Sequence, residues 1–286
     1  MFFRLSLLVF AILFSVSTSV ACPTIEELID FNCNQDGKIS VTGDSFVNGV
    51  GDTRNQAGYV GRAENNFSEF RFSETGVNGV TTSRLLSNFK RFFPRGKTTY
   101  KRTNNSDIIV IDVGRNDYWS NISPAIGVRN IKRLVKYLRK ATVNDDADAA
   151  PEIFVATLMP TSRGFQAPFI REFNRLLLKQ KGKKLPVYIR FDKLPINIVG
   201  SDGLHPTARG YKRAAGFLTK FLKGRAQTLM AKKRADTDSD GIYDFFETNR
   251  YGTDPEVADT DGDTHTDGDE IFTLESDPLD PADPTA

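Results

Sequence analysis

Residues 106–114 read SDIIVIDVG, four consecutive Ile and Val residues closed by Asp, Val and Gly. A strand with one wet face alternates apolar and polar residues, whereas an unbroken apolar run of strand length is buried on both faces, as in a parallel sheet covered by helices. Residues 152–160, EIFVATLMP, and 185–191, LPVYIRF, repeat the pattern. Between the first two lies SPAIGVRNIKRLVKYLRKA (123–141), where Ser123 suits an N-cap, Pro124 the first helical position, and Ile131, Leu134, Val135 and Leu138 recur at helical spacing. Between the second and third lies APFIREFNRLLLKQKG (167–182), with Ile170, Phe173, Leu176 and Leu177 on one face and Gly182 as a stop. A further helical segment follows Pro206. Buried strands separated by amphipathic helices predict an α/β fold, a three-layer α/β/α domain with a central parallel sheet.

In such sheets ligands bind beyond the carboxyl ends of the strands. Three polar motifs stand there. SVTGDSFVNG (40–49) carries Ser45 after a strand around Ile39 and Val41; GRND (114–117) follows the run ending at Val113; SDGLHP (201–206) follows the strand around Tyr188 and Phe191. A serine after a strand often caps the next helix. A nucleophilic serine needs a base to take its proton and a third group to orient that base. His205 is the only histidine before the acidic tail, and it stands three residues after Asp202.

Together these residues resemble the SGNH or GDSL hydrolases, over about 38–222. Four blocks carry the resemblance in family order: GDS at 43–45, GVNGVTT at 76–82, GRND at 114–117 and DGLHP at 202–206. The resemblance implies the flavodoxin-like SGNH hydrolase fold and carboxylic ester hydrolysis through an acyl-enzyme with no catalytic cofactor. It implies Ser45 as nucleophile, His205 as general base and Asp202 as the residue orienting it. The oxyanion donors would be the N–H groups of Ser45 and Gly79 and the side-chain amide of Asn116, with Gly76 a competitor for the glycine role. A glycine donor has no Cβ to obstruct an acyl group, and an amide donor stays neutral at working pH. The pattern is not the G-x-S-x-G nucleophile elbow, because 43–47 read GDSFV. The family's substrates include carbohydrate acetyl esters, lipid acyl esters and thioesters, and the sequence does not choose among them.

The amino terminus begins with Met1 to Arg4, continues through LSLLVFAILF and ends in small residues with Ser19 and Ala21 placed for A-x-A cleavage. This predicts a signal peptide over 1–21 and a product that is secreted or held at the cell surface. Cys22 and Cys33 would then either bridge in an oxidising compartment or leave Cys22 as a lipid-modified first residue anchoring the protein to the envelope, periplasm included.

Charge is divided unevenly. Residues 236–286 hold 13 Asp and 4 Glu against Arg250 alone, a net −16, so residues 1–235 carry +18 within a chain of net +2. A basic body suits an anionic surface or substrate, and export makes nucleic acid an unexpected partner.

The acidic segment repeats with a 23-residue offset: DTDSDGIYDFFE (236–247) recurs as DTDGDTHTDGDE (259–270). Asp236, Asp238, Asp240, Asp244 and Glu247 match Asp259, Asp261, Asp263, Asp267 and Glu270, at positions 1, 3, 5, 9 and 12 of a calcium loop. Gly241 stands at the tight turn of the first loop, and Thr264 replaces it in the second. The segment resembles thrombospondin type 3 calcium repeats, which implies structural Ca²⁺. The expected organisation is a signal peptide (1–21), a hydrolase domain (22–228), a basic linker (229–235) and a calcium-binding tail (236–286). A rival expectation is a calcium-dependent surface-anchoring or adhesion protein whose hydrolase body is idle.

Overall fold

The computed structural model describes residues 37–53, 58–67, 70–92, 103, 106–141, 151–181, 185–226, 235–244, 247–274 and 276–282. They fall into two compact units, one within Cys22–Ala235 and one within Asp236–Ala286. The leader segment, Cys22, Cys33 and the linker before Ala235 lie outside the described residues.

The larger unit is built on five parallel strands, β1 (Gly37–Gly43), β2 (Phe70–Gly76), β3 (Ile108–Asp112), β4 (Glu152–Ala156) and β5 (Val187–Ile189), in the order β2-β1-β3-β4-β5. Every residue of β3 is buried. The two-residue period of a strand sends Ile109 and Ile111 to one face of the sheet and Ile108 and Val110 to the other, so both must be apolar. On the first face α2 (Thr82–Phe92), α3 (Pro124–Ala141) and α4 (Ala167–Leu178) bring Leu85, Phe89, Leu134, Leu138, Phe173 and Leu177 onto Ile109, Ile111, Ile153, Val155 and Val187. The second face is covered by α1 (Gly58–Glu64) and α5 (Ala208–Phe221), which pack together. There Phe221 meets Phe154 of β4 edge-on at 4.8 Å. This is the predicted three-layer architecture.

The helix after residue 122 starts as the sequence predicts, with the Ser123 hydroxyl accepting from Ile126 N–H at 3.4 Å. Helix α4 ends at Leu178 with Lys179 as its C-cap, before Gly182, which lies outside the described residues. Three elements escaped the sequence reading. β2 pairs only with β1, and its FRFSETG mixes two phenylalanines with polar residues, a weak signal for a seven-residue edge strand. α1 and α2 are short, and the apolar spacing of Leu85, Leu86 and Phe89 was there to be read.

The order of strands reverses between β1 and β3, so the crevice for a ligand opens at their carboxyl ends. The backbones come very close there. A Cβ on Gly43 would lie 2.0 Å from the Asp112 carbonyl oxygen. Gly114, just past β3, has φ of +143°, and a Cβ on it would lie 2.4 Å from the Phe173 ring. Gly114→Ala should therefore cost at least about 2 kcal/mol from strain and overpacking. Gly164→Ala, where a Cβ meets nothing, should stay within about 0.5 kcal/mol. Urea unfolding of the two variants checks the contrast.

Candidate active site

The turn after β1 carries Ser45, and the loop before α5 carries Asp202 and His205. Ser45 caps no helix, since the next one begins at Gly58. Its Oγ lies 2.9 Å from His205 Nε2, and His205 Nδ1 lies 2.6 Å from Asp202 Oδ2. Asp202 Oδ1 accepts from the N–H groups of Leu204 at 2.8 Å and His205 at 2.9 Å, which folds the loop around its own carboxylate. Partial desolvation raises the Asp202 carboxyl, but the His205 bond and these two N–H groups outweigh it and hold it below the ordinary carboxylate value.

A second loop clamps this turn from outside. Thr161 Oγ1 and Ser162 N–H both donate to the Gly203 carbonyl, at 2.7 and 3.0 Å, and Arg163 Nε donates to the Asp202 carbonyl at 2.9 Å. Gly203 has φ of +73°, the left-handed turn that lets residues 200–205 double back. The clamp was not legible beforehand, because its donors lie about forty residues away in sequence and form no motif.

The sequence-designated donors stand on the loops after β2 and β3. Gly79 is exposed with φ of +71°, and a Cβ on it would meet nothing. The backbone conformation alone therefore favours glycine at this position. Gly76, the competitor, ends β2 where a Cβ would lie 2.4 Å from Asn48 N, so its role is close packing. Asn48 Nδ2 donates to Asn78 Oδ1 at 2.9 Å, tying the Gly79 turn to the residues after Ser45. Asn116 donates one amide hydrogen to the Val80 carbonyl at 3.1 Å, which fixes the side chain and leaves its second hydrogen for a ligand. The hydrogen-bonded chain Ser45–His205–Asp202 thus stands at the switch point of the sheet, an arrangement able to carry out acyl transfer.

The sequence of residues 41–213 matches the GDSL-like lipase/acylhydrolase family. The chain belongs to that family. It is accordingly a carboxylic ester hydrolase, and hydrolases of this family need no catalytic cofactor. No curated protein matches the chain. Solved structures of the same fold include the carbohydrate acetylesterase Est24 from Sinorhizobium meliloti, at 15% identity and a TM-score of 0.54, covering 68% of this chain and 100% of that one. The lipase Lip_vut3 from a goat rumen metagenome matches at 19% identity and 0.52, covering 66% and 99%. The lipase/acylhydrolase from Enterococcus faecalis matches at 20% and 0.52, covering 66% and 96%.

Behind the hydrolase's serine sits a charge cluster that the sequence did not announce. Arg115 is 1% exposed and donates to Asp44 Oδ1 at 2.6 Å and to Asp112 Oδ1 at 2.9 Å. Tyr59 donates its hydroxyl to Asp112 Oδ2 at 3.1 Å. The guanidinium lies over the Phe46 ring, 3.6 Å from its centroid, and Phe46 packs against His205 with ring centroids 5.3 Å apart. Burial pushes Asp44 up to about 6 against the pull of Arg115, so one cation is shared by two desolvated carboxylates.

In the acidic segment the two repeats adopt the same loop. Ser239 and Gly262 at position 4, and Gly241 and Thr264 at position 6, all have positive φ. Thr264 thus holds the turn conformation of the glycine it replaces, a strained state for a β-branched residue. Asp236, Asp238 and Asp240 bring carboxylate oxygens within 4.8 Å of one another, as do Asp259, Asp261 and Asp263. Asp236 Oδ1, Asp238 Oδ2, Asp261 Oδ2 and Asp263 Oδ2 are buried without a hydrogen-bond partner. Converging, unpartnered carboxylate oxygens fit a hard divalent cation. The carboxylates at position 9 also accept hydrogen bonds within their own loops. Asp244 accepts from Thr237 N–H and hydroxyl, both at 2.8 Å, and Asp267 accepts from Thr260 at 2.9 and 2.7 Å. Glu247 and Glu270 are fully buried, and Glu270 accepts from the Ser276 hydroxyl at 3.0 Å.

Asp117 links the site to the core. It is fully buried, and it accepts from Thr82 N–H at 2.8 Å and from the Thr82 hydroxyl at 2.6 Å. Burial nevertheless pushes its carboxyl from 3.8 up to about 6. A folded value above the unfolded one means that the stabilising contribution is complete below about pH 4 and is lost as pH rises through about 6. The ionised form then costs on the order of 3 kcal/mol at neutral pH. Asp117→Asn removes this titration, so urea unfolding from pH 4 to 7 should show the wild type losing stability relative to the variant by about that amount.

Proposed function

We propose that the chain is an exported serine esterase in which Ser45 attacks the ester carbonyl and His205 Nε2 takes its proton. Asp202 keeps His205 Nδ1 as a hydrogen-bond donor and balances the imidazolium that forms. The carbonyl oxygen gains negative charge as the tetrahedral intermediate forms, and the N–H groups of Ser45, Gly79 and Asn116 receive it. Each such donor is worth about 3 kcal/mol of barrier. His205 then gives its proton to the departing alcohol as the carbon–oxygen bond breaks, leaving an acyl-enzyme on Ser45. Water, deprotonated by His205, attacks the acyl carbon, and collapse returns the proton to Ser45 and releases the acid. The observation that carries this reading is the unbroken chain from Ser45 Oγ to His205 at 2.9 Å and from His205 to Asp202 at 2.6 Å.

The substrate proposed is a carbohydrate or lipid ester, approached across an exposed aromatic surface on the loop that carries Asn116. There Trp119 and Phe165 are more than half exposed, with ring centroids 5.6 Å apart. The +18 charge of residues 1–235 supports an anionic substrate or surface. Export rests on the leader pattern of residues 1–21.

Calcium is proposed for the acidic segment as a structural ion. It would be held by Asp236, Asp238, Asp240 and Glu247 in one repeat and by Asp259, Asp261, Asp263 and Glu270 in the other, relieving the repulsion among carboxylates. The presence of Ser45, Gly79, Asn116, Asp202 and His205 together argues against the idle-body alternative.

Ser45→Ala and His205→Ala should each lower kcat/KM on p-nitrophenyl acetate by at least about a thousandfold, and the double variant should be no worse than either, because the two act as one unit. Retention of more than about a tenth of the activity by Ser45→Ala would remove it as nucleophile. In a separate test, a calcium chelator should expose the chain beyond residue 236 to limited proteolysis while hydrolysis of the same soluble ester continues. Loss of hydrolysis on chelation alone would place the metal in the chemistry.

A further inference from the structure

The two repeats were read as independent loops, but their carboxylates do not stay apart. One oxygen from each of Asp240, Glu247 and Asp267 lies within 4.8 Å of the other two. The first two belong to one repeat and the third to the next, twenty residues beyond Glu247. Ligands on one calcium, each bound at about 2.4 Å, lie at most about 5 Å apart, so this spacing suits a shared ion.

Burial makes the grouping costly without a cation. Glu247 and Asp267 are both 0% exposed, and Glu247 Oε2 has no hydrogen-bond partner. Among the described residues, a weak 3.4 Å bond from the Thr253 hydroxyl reaches the other oxygen of Glu247. The backbone is shaped to bring the repeats together here. Gly268 N–H donates to Asp240 Oδ2 at 3.0 Å, and a Cβ at Gly268 would lie 2.0 Å from the Asp240 carbonyl oxygen. Any other residue at 268 would therefore push Asp267 away from the first repeat.

The equivalent residues on the other side of the alignment do not form such a group. Asp244, which matches Asp267, joins no cluster of three among the described residues, and neither does Glu270, which matches Glu247. Position 9 thus differs in fate between the copies, although its bonds to the threonine at position 2 are the same. Asp267 oxygens retain lone pairs beyond those two bonds and can take a cation as well.

We propose that Asp240, Glu247 and Asp267 form a cross-repeat calcium site, in which one ion is held jointly by both repeats. Asp240 is common to this group and to Asp236 and Asp238, so the ion is that of the first loop, and Asp267 ties the second repeat to it. The proposal rests on the calcium reading of the segment but assigns Asp267 to the ion of its neighbour.

Equilibrium dialysis of the full chain with radioactive calcium, from about 10 µM to a few mM free ion, counts bound ions in matched variants. Glu247→Gln should lose one ion or weaken it about tenfold or more, a loss at least as large as that from disturbing an outer partner of a metal ligand. Asp267→Asn should weaken the same ion, and the double variant Glu247→Gln with Asp267→Asn should lose no more than either. Adding Asp261→Asn to Glu247→Gln should remove a further ion. Thr260→Val, which deletes one hydrogen bond to Asp267 but keeps its carboxylate, should retain the ion and so separates ligation from support of the second loop. If Asp267→Asn leaves the Glu247-dependent ion in place and is instead non-additive with Asp261→Asn, the cross-repeat site is wrong and two separate calcium loops stand. If the wild type binds no calcium at millimolar concentration, the calcium reading itself falls.

Discussion

One guanidinium organises the catalytic end of the sheet. Arg115 joins Asp44, the residue before the serine, to Asp112, the last residue of β3. Two carboxylates and a tyrosine hydroxyl around a single buried cation are a poor investment if stability alone is considered, since hydrophobic residues of the same volume often serve as well. Their geometric effect is more specific. Asp44 Oδ1 also accepts from Phe46 N–H at 3.0 Å, so the carboxylate held by Arg115 fixes the backbone on both sides of Ser45. The Phe46 ring lies between the guanidinium and the His205 imidazole. Serine and histidine, 160 residues apart in sequence, are therefore referred to one buried charge.

This dependence explains what the sequence could and could not disclose. The continuous apolar runs at 108–111 and 153–155 report burial on both faces, and that is a local property which survives in one dimension. The blocks around Ser45, Asn116 and His205 were readable because each contains a short, unusual combination of residues. Arg115 occupies the unspecified position of GRND, and nothing local marks it, because its partner Asp44 lies 71 residues away. At Gly79 a feature the sequence did not express is the positive φ, a backbone conformation that favours glycine.

The acidic repeats show a second limit. An offset of 23 residues identifies equivalent positions, yet equivalence in sequence does not say which copy a side chain serves. Asp244 and Asp267 have the same neighbours at position 2 and the same hydrogen bonds, yet among the described residues Asp267, and not Asp244, joins two carboxylates of the other repeat in a group of three. Tertiary proximity breaks the symmetry of the repeat. Thr264 illustrates the converse: it replaces the turn glycine of the second loop and yet adopts a positive φ as that glycine does.

The two units solve the stability problem by different means. The larger one buries apolar sheet faces beneath helices, the ordinary hydrophobic solution, and can hold its polar site on rigid strand ends. In the smaller one Ile242 is the buried hydrophobic side chain among the described residues. The net −16 of residues 236–286 opposes compaction, and metal ligation is a usual remedy. Such loops suit calcium at the concentrations found outside cells, about 0.1–1 mM for extracellular modules. Export and calcium are thus linked physically: the proposed leader delivers the chain to a compartment in which the proposed tail can fold, while the esterase site, made only of protein groups, has no need of the ion.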